Sequence, residues 1–238
     1  MQTLNNRLKF NQILANLQQT CILCASHNGE NLGLCQPCLK DLPWHTTTQC
    51  PQCALITNGS ICGSCISTPP SFDATTALLT YDYPVDGLLQ HYKYNASLNL
   101  AQTFASLFAE KKHTQLTMQN AINVIMPMPM HQNRLKERGF NQALEIAKLL
   151  SKAFTIPLDY TTCQRTKHTP PQASLNLKDR IKNIKGAFSC QQSLQHLNIA
   201  IIDDVMTTGA SLNELAKTLK QAGAAHVECW VMARTLPK

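Results

Sequence analysis

The sequence predicts an α/β fold, a mainly parallel sheet flanked by helices, with a small metal-bound module on its N-terminal side. Three observations carry this. First, the apolar run Ile199-Ala200-Ile201-Ile202 leads through Asp203-Asp204-Val205-Met206 into Thr207-Thr208-Gly209-Ala210-Ser211. Leu212, Leu215, Ala216 and Leu219 then recur at helical spacing. Second, the apolar stretch 122–126 leaves through Pro127-Met128-Pro129-Met130 and a basic turn into another helix, repeating strand, loop and helix. Third, four Cys-x-x-Cys pairs crowd residues 21–65.

In chain order, residues 1–20 hold Leu4, Leu8, Ile13, Leu14 and Leu17 at the spacing of a short amphipathic helix. Asn and Gln interrupt any signal-like apolar core there, and no run is long enough to span a bilayer, so a cytoplasmic location is expected. Eleven cysteines without a secretion signal argue for metal chemistry rather than disulfides. Cys21/Cys24, Cys35/Cys38, Cys50/Cys53 and Cys62/Cys65 each form a knuckle able to give two thiolates to a tetrahedral zinc. The gaps of ten, eleven and eight residues suit ribbon hairpins and two closed, structural sites of four thiolates each. Consecutive pairing is the preferred scheme, with cross-bracing, iron–sulfur ligation and redox pairs as alternatives. Cys163, Cys190 and Cys229 fall outside the pattern and read as structural residues.

The run Ile66-Ser67-Thr68-Pro69-Pro70-Ser71 reads as a linker, dividing a module over 1–68 from an α/β domain over 72–238. Residues 72–83 read as a strand, and 85–94 and 98–111 as helices. Tyr92, Lys93 and Tyr94 mark a helix end that could contact substrate or nucleic acid by stacking and charge, although a helix end with two partly buried tyrosines is the simpler reading. After the 122–126 strand, Arg134, Lys136 and Arg138 precede Gly139 and a helix over 143–154, well placed for an anion. Residues 158–163 read as a further strand, and 165–172 as a lid-like loop. Residues 186–188 open the next strand, and 227–234 form the last.

In the main loop, a helix N-terminus and the hydroxyls of Thr207, Thr208 and Ser211 make a phosphate cradle, with Gly209 permitting close backbone approach. Ala210 keeps the turn small. Asp203 and Asp204 suit the vicinal hydroxyls of a ribose as charge-assisted acceptors and are the candidates for any catalytic role. The net charge of +7 is concentrated between 134 and 185, where eleven Lys/Arg face four acids. This excess fits a pyrophosphate or a nucleic-acid backbone. Lys136, Arg165 and Lys167 are the candidate single-stranded DNA contacts.

The strand–Asp-Asp–loop–helix stretch resembles the 5-phosphoribosyl-1-pyrophosphate (PRPP) signature of type I phosphoribosyltransferases. Four zinc knuckles, Pro-Met-Pro, Arg-Gly-Phe-Asn-Gln, Thr-Pro-Pro-Gln, Arg-x-x-Asn-x-x-Gly-Ala-Phe and Asp-Asp-x-x-Thr-Thr-Gly follow one another in the order typical of the ComF family, which the chain resembles over nearly its whole length. The resemblance implies a double zinc ribbon on a Rossmann-like, type I phosphoribosyltransferase-like domain. It implies a role in natural competence, handling incoming single-stranded DNA in the cytoplasm with other competence proteins. It implies PRPP with Mg²⁺, the metal held mainly by the ligand's own oxygens. Asp203 and Asp204 would take the ribose hydroxyls and Thr207 to Ser211 the 5-phosphate, while Arg134 or Arg138 would contact the pyrophosphate. No residue set for reading an acceptor base is identifiable. Three classes therefore stand: a PRPP-site protein assisting DNA, a true phosphoribosyltransferase of salvage or nutrient use, and a zinc-ribbon docking adaptor with an inert fold.

Overall fold

The structure, a computed structural model, describes residues 20–29, 32–94, 98–113, 121–168 and 183–237. The helix expected over 1–20 lies outside them, save for its last residue. The chain forms two compact units, Met1–Leu42 and Pro43–Lys238. Compactness thus divides the chain between the two cysteine groups, whereas the sequence motifs group them together.

In the first unit, Cys21, Cys24, Cys35 and Cys38 come together around helix α1 (Gln36–Lys40). The chain doubles back through Ile22 N–H to Gly33 O at 2.9 Å, a turn that Gly33 permits with φ of 68°.

The second unit opens with the other knuckles and helix α2 (Gly63–Ser67), then strand β1 (Ala74–Thr80). Helices α3 (Val85–Tyr94) and α4 (Asn99–His113) follow. Strand β2 (Val124–Pro127) leads to helices α5 (Gln132–Arg138) and α6 (Gln142–Phe154). A two-stranded antiparallel hairpin comes next, β3 (Cys163–Arg165) with β4 (Phe188–Cys190). Strand β5 (Asn198–Met206), helix α7 (Ala210–Gln221) and strand β6 (His226–Arg234) complete the unit.

The main sheet is wholly parallel in the order β1-β6-β5-β2. Its middle strands are buried on both faces, which is why Ile199 to Ile202 and Val231 to Ala233 read as unbroken apolar runs. Helix α6 buries Ala143, Ile146, Ala147 and Leu150, and α7 buries Leu212, Leu215, Ala216 and Leu219, one stripe each. This is the α/β architecture, a parallel sheet flanked by helices, that the sequence predicts.

One expected strand is displaced. Residues 158–163 pair with the sheet only through a Leu158–Ile125 bridge, and regular structure starts at Cys163. The Asp159 carboxylate accepts the Thr161 and Thr162 N–H groups at 2.9 and 3.0 Å, a side-chain-closed turn that bends the chain where a strand would run straight. Of the expected lid over 165–172, only Arg165 to His168 are among the described residues.

Candidate functional site

Strands β2 and β5 are neighbours, and both deliver their carboxyl ends to one edge of the sheet. Open parallel sheets bind ligands at such an edge. Here β5 runs on into the acid pair and the Thr-Thr-Gly turn, while β2 runs into Pro127-Met128-Pro129. Asn141 ties the second loop down. Its carboxamide oxygen caps α6 by accepting from Ala143 N–H at 3.0 Å, and its Nδ2 donates to Met128 O at 3.1 Å.

Between these loops lies an open cavity of about 550 Å³. Asp203, Asp204, Thr207 and Ser211 line it from β5 and α7, Arg134 and Arg138 from α5, and Arg165 from β3. Acid pair, hydroxyls and guanidinium groups, drawn from distant parts of the sequence, thus share one volume. Thr208, Gly209 and Ala210 complete the turn behind it. Thr208 Oγ1 accepts from Ala210 N–H at 3.3 Å as α7 begins, and Asn213 N–H closes the first turn on Gly209 O at 2.8 Å.

The φ of Gly209 is +77°, and an added Cβ would lie 2.7 Å from Met206 Cε, inside the protein. The left-handed backbone of the turn favours glycine, and an added Cβ would have to displace the end of the Met206 side chain.

The two carboxyls are shifted in opposite directions. Burial pushes Asp204 up, but Lys93 Nζ at 2.6 Å more than offsets this and holds it below the usual carboxylate range. Burial and the adjacent Asp204 push Asp203 well above that range. The adjacent carboxyls, one held down by Lys93 and the other pushed up by burial, offer hydrogen-bonding oxygens to a diol. On the opposite wall, burial and the nearby Arg134 lower both Arg138 and Arg165 from the ordinary guanidinium value, so the three cations crowd one another. An anion relieves that repulsion.

The remaining candidates are less centrally placed. Lys136 is exposed on α5, and Lys167 Nζ donates to Lys185 O at 2.7 Å; neither lines the cavity. Tyr92 is fully buried and its hydroxyl donates to Gln142 O at 2.9 Å, so its ring is closed to base stacking. Tyr94 is 74% exposed, with the Arg138 guanidinium 5.5 Å from its ring centre.

Each cysteine group fits a zinc ion. Within each set the sulfurs lie within 4.8 Å of one another, and Cys24–Cys35 and Cys53–Cys62 Sγ atoms are 3.6 Å apart. A tetrahedral Zn–S distance of about 2.3 Å requires edges of roughly 3.8 Å. The groups are consecutive, the first two knuckles together and the last two together. Among the described residues these are the sets of three or more Cys, His, Asp or Glu groups placed to hold a metal.

No family model matches the chain. Competence protein F of Haemophilus influenzae is 34% identical over 227 residues, covering 90% of this chain and 96% of the relative. The chain belongs to the ComF family. The DNA utilization protein YhgH of Escherichia coli is 31% identical, covering 86% of this chain and 91% of the relative. A solved structure of adenine phosphoribosyltransferase from Leishmania tarentolae is 10% identical, with a TM-score of 0.40, covering 70% of this chain and 92% of that one.

Two residues of this ComF chain carry weight that sequence reasoning did not assign. Lys93 pairs with Asp204 from α3, more than a hundred positions away. Arg234 is buried at the end of β6 beneath the Thr-Thr-Gly turn. Only the oddity of a cation closing an apolar strand could have drawn attention to Arg234. Among the described residues no helix is long and apolar enough to cross a membrane.

Proposed function

We propose that this chain binds PRPP, or a closely related phosphoribosyl ligand, and assists single-stranded DNA in the cytoplasm during natural transformation together with other competence proteins. The observation that carries the sugar-phosphate reading is one cavity lined by Asp203, Asp204, Thr207, Ser211, Arg134 and Arg138. The 5-phosphate would lie on the α7 N-terminus and the hydroxyls of Thr207, Thr208 and Ser211. Asp203 and Asp204 would hold the 2- and 3-hydroxyls, and Arg134 and Arg138 the pyrophosphate. Mg²⁺ bound to the ligand's oxygens would neutralise part of the pyrophosphate charge. The competence role is suggested by the names of the relatives, and the DNA role also by the basic stretch that includes Lys136, Arg165 and Lys167.

Calorimetry with PRPP and Mg²⁺ tests the site. Ser211→Ala should weaken PRPP and ribose 5-phosphate alike. Asp203→Asn/Asp204→Asn should weaken both while leaving inorganic phosphate binding unchanged. Wild-type protein that ignores PRPP would refute the reading. Pyrophosphate release in the presence of a panel of bases would instead identify a phosphoribosyltransferase, in which C1 passes through an oxocarbenium-like state as pyrophosphate departs. That second reading is favoured by the open cavity, which leaves room beside the acid pair.

A further inference from the structure

The second cysteine group is built into the sheet unit. Three successive carbonyls of its first knuckle are all taken up by the sheet's strands. Pro51 O accepts from Thr75 N–H at 3.1 Å, Gln52 O from the Thr75 hydroxyl, and Cys53 O from Arg234 Nε at 2.8 Å. Arg234 is 4% exposed. Its Nη1 donates to Met206 O at 2.9 Å and to the carbonyls of Thr207 and Thr235. One guanidinium therefore joins a zinc-ligand peptide to the two peptides that start the Thr-Thr-Gly turn.

The geometry of those peptides gives the bond its meaning. In a trans peptide the C=O and the following N–H point in opposite directions. Met206 O and Thr207 O both turn toward Arg234, so the N–H groups of Thr207 and Thr208 point away from it. A cation behind the loop thus presents two successive N–H groups forward, the arrangement of an anion-binding nest. Guanidinium suits this task because its donors sit in a fixed fork, whereas an ammonium could not span both partners in one plane.

We propose that Arg234 is a positioning residue that couples zinc in the Cys50/Cys53/Cys62/Cys65 group to phosphate binding in the turn. The inference rests on the phosphoribosyl reading above and adds a linkage to it. Zinc fixes the Cys53 peptide, the Cys53 carbonyl fixes Arg234, and Arg234 fixes the peptides that meet the phosphate. Thermodynamic linkage makes the effect mutual: ligand in the cavity must tighten that zinc by the factor by which zinc tightens the ligand.

The test uses the zinc-loaded full chain and ribose 5-phosphate as probe. Zinc transfer to a chromogenic chelator is followed with and without the probe, and Cys21→Ser, which retains the second group, identifies which phase belongs to it. The probe should slow that phase about tenfold, within the usual range of coupling between sites. The zinc held by the first group serves as internal reference. Arg234→Lys, which keeps the charge but loses the fork, should abolish the slowing and weaken ribose 5-phosphate about tenfold while two zinc ions stay bound. Unchanged release from wild-type protein that binds the probe would overturn the coupling alone. So would undiminished slowing in Arg234→Lys. Failure of wild-type protein to bind ribose 5-phosphate by calorimetry would overturn both the coupling and the site reading. If Arg234→Lys does not fold, the wild-type comparison decides by itself.

Discussion

Replacing Lys93 with methionine should destabilise the sheet unit in a manner that depends on pH. The Lys93–Asp204 pair is 2.6 Å long, and the two side chains are 23% and 11% exposed. Removing one member of a fully buried pair costs about 3–5 kcal/mol, because the other charge is left uncompensated. Partial exposure of Lys93 reduces this to roughly 2–4 kcal/mol here. Without Lys93, burial is the largest influence left on Asp204, and it pushes the carboxyl upward against the weaker hydrogen bonds from Asp203 and Val205. The variant's folded state then binds a proton that its unfolded state has released. Stability of the variant must therefore fall as pH rises, by at most about 1.4 kcal/mol per pH unit for one proton. In the wild type Asp204 is held below its ordinary value, so its contribution is present above that value and is lost only as pH falls through the lowered one. The difference between variant and wild type should thus be larger at about pH 8 than at about pH 6, by roughly 1–2 kcal/mol. Urea midpoints of the zinc-loaded proteins at the two pH values give the measurement, and Lys93→Met/Asp204→Asn should recover most of the loss. A pH-independent difference, or one below about 1 kcal/mol, would refute the assignment of Lys93 as the counterion of Asp204.

Metal analysis of the purified chain should find about two zinc per chain. Cys50→Ser should lose one and abolish the cooperative unfolding of Pro43–Lys238, since structural zinc supplies about 10–16 kcal/mol, comparable to a whole domain's margin; Cys21→Ser should lose the other and leave that transition in place. Gly209→Ala should cost about 2–3 kcal/mol in chemical denaturation, from the left-handed backbone and displacement of Met206. Gly139→Ala, where φ is +83° and a Cβ would meet nothing within 4 Å, should cost only about 1 kcal/mol. Lys136→Glu/Lys167→Glu should weaken single-stranded DNA while leaving PRPP binding in place, since neither lysine lines the cavity. With about three phosphates engaged, the wild-type log–log salt slope should be near −2, and a flat salt dependence would end the DNA proposal.

By itself the sequence determined those features in which local pattern and tertiary role coincide. The four knuckles announce two groups of four cysteines because thiolate spacing within a knuckle is a local property, and the clusters form as consecutive pairs. The Ile199–Ile202 run announces a central parallel strand because burial on both faces removes alternation. The acid pair and the Thr-Thr-Gly turn announce a helix-mounted anion site because strand end, loop and helix start are contiguous. Tertiary structure decided whatever depends on groups distant along the chain. The Lys93–Asp204 pair and the Arg234 bridge each join segments more than a hundred residues apart, and no periodicity encodes them. Residues 158–163 look like a strand by composition, but the Asp159 carboxylate diverts the backbone into a turn. Tyr92 and Tyr94 are nearly equivalent in sequence. The face of α3 each occupies leaves one sealed against Phe140 and the other open beside Arg138. The boundary between compact units likewise followed packing. The second cysteine group gives its backbone carbonyls to Thr75 and Arg234, so it belongs with the sheet although its motif belongs with the first group. Hydrogen-bond partners of that kind are chosen only once the sheet has brought its strands side by side.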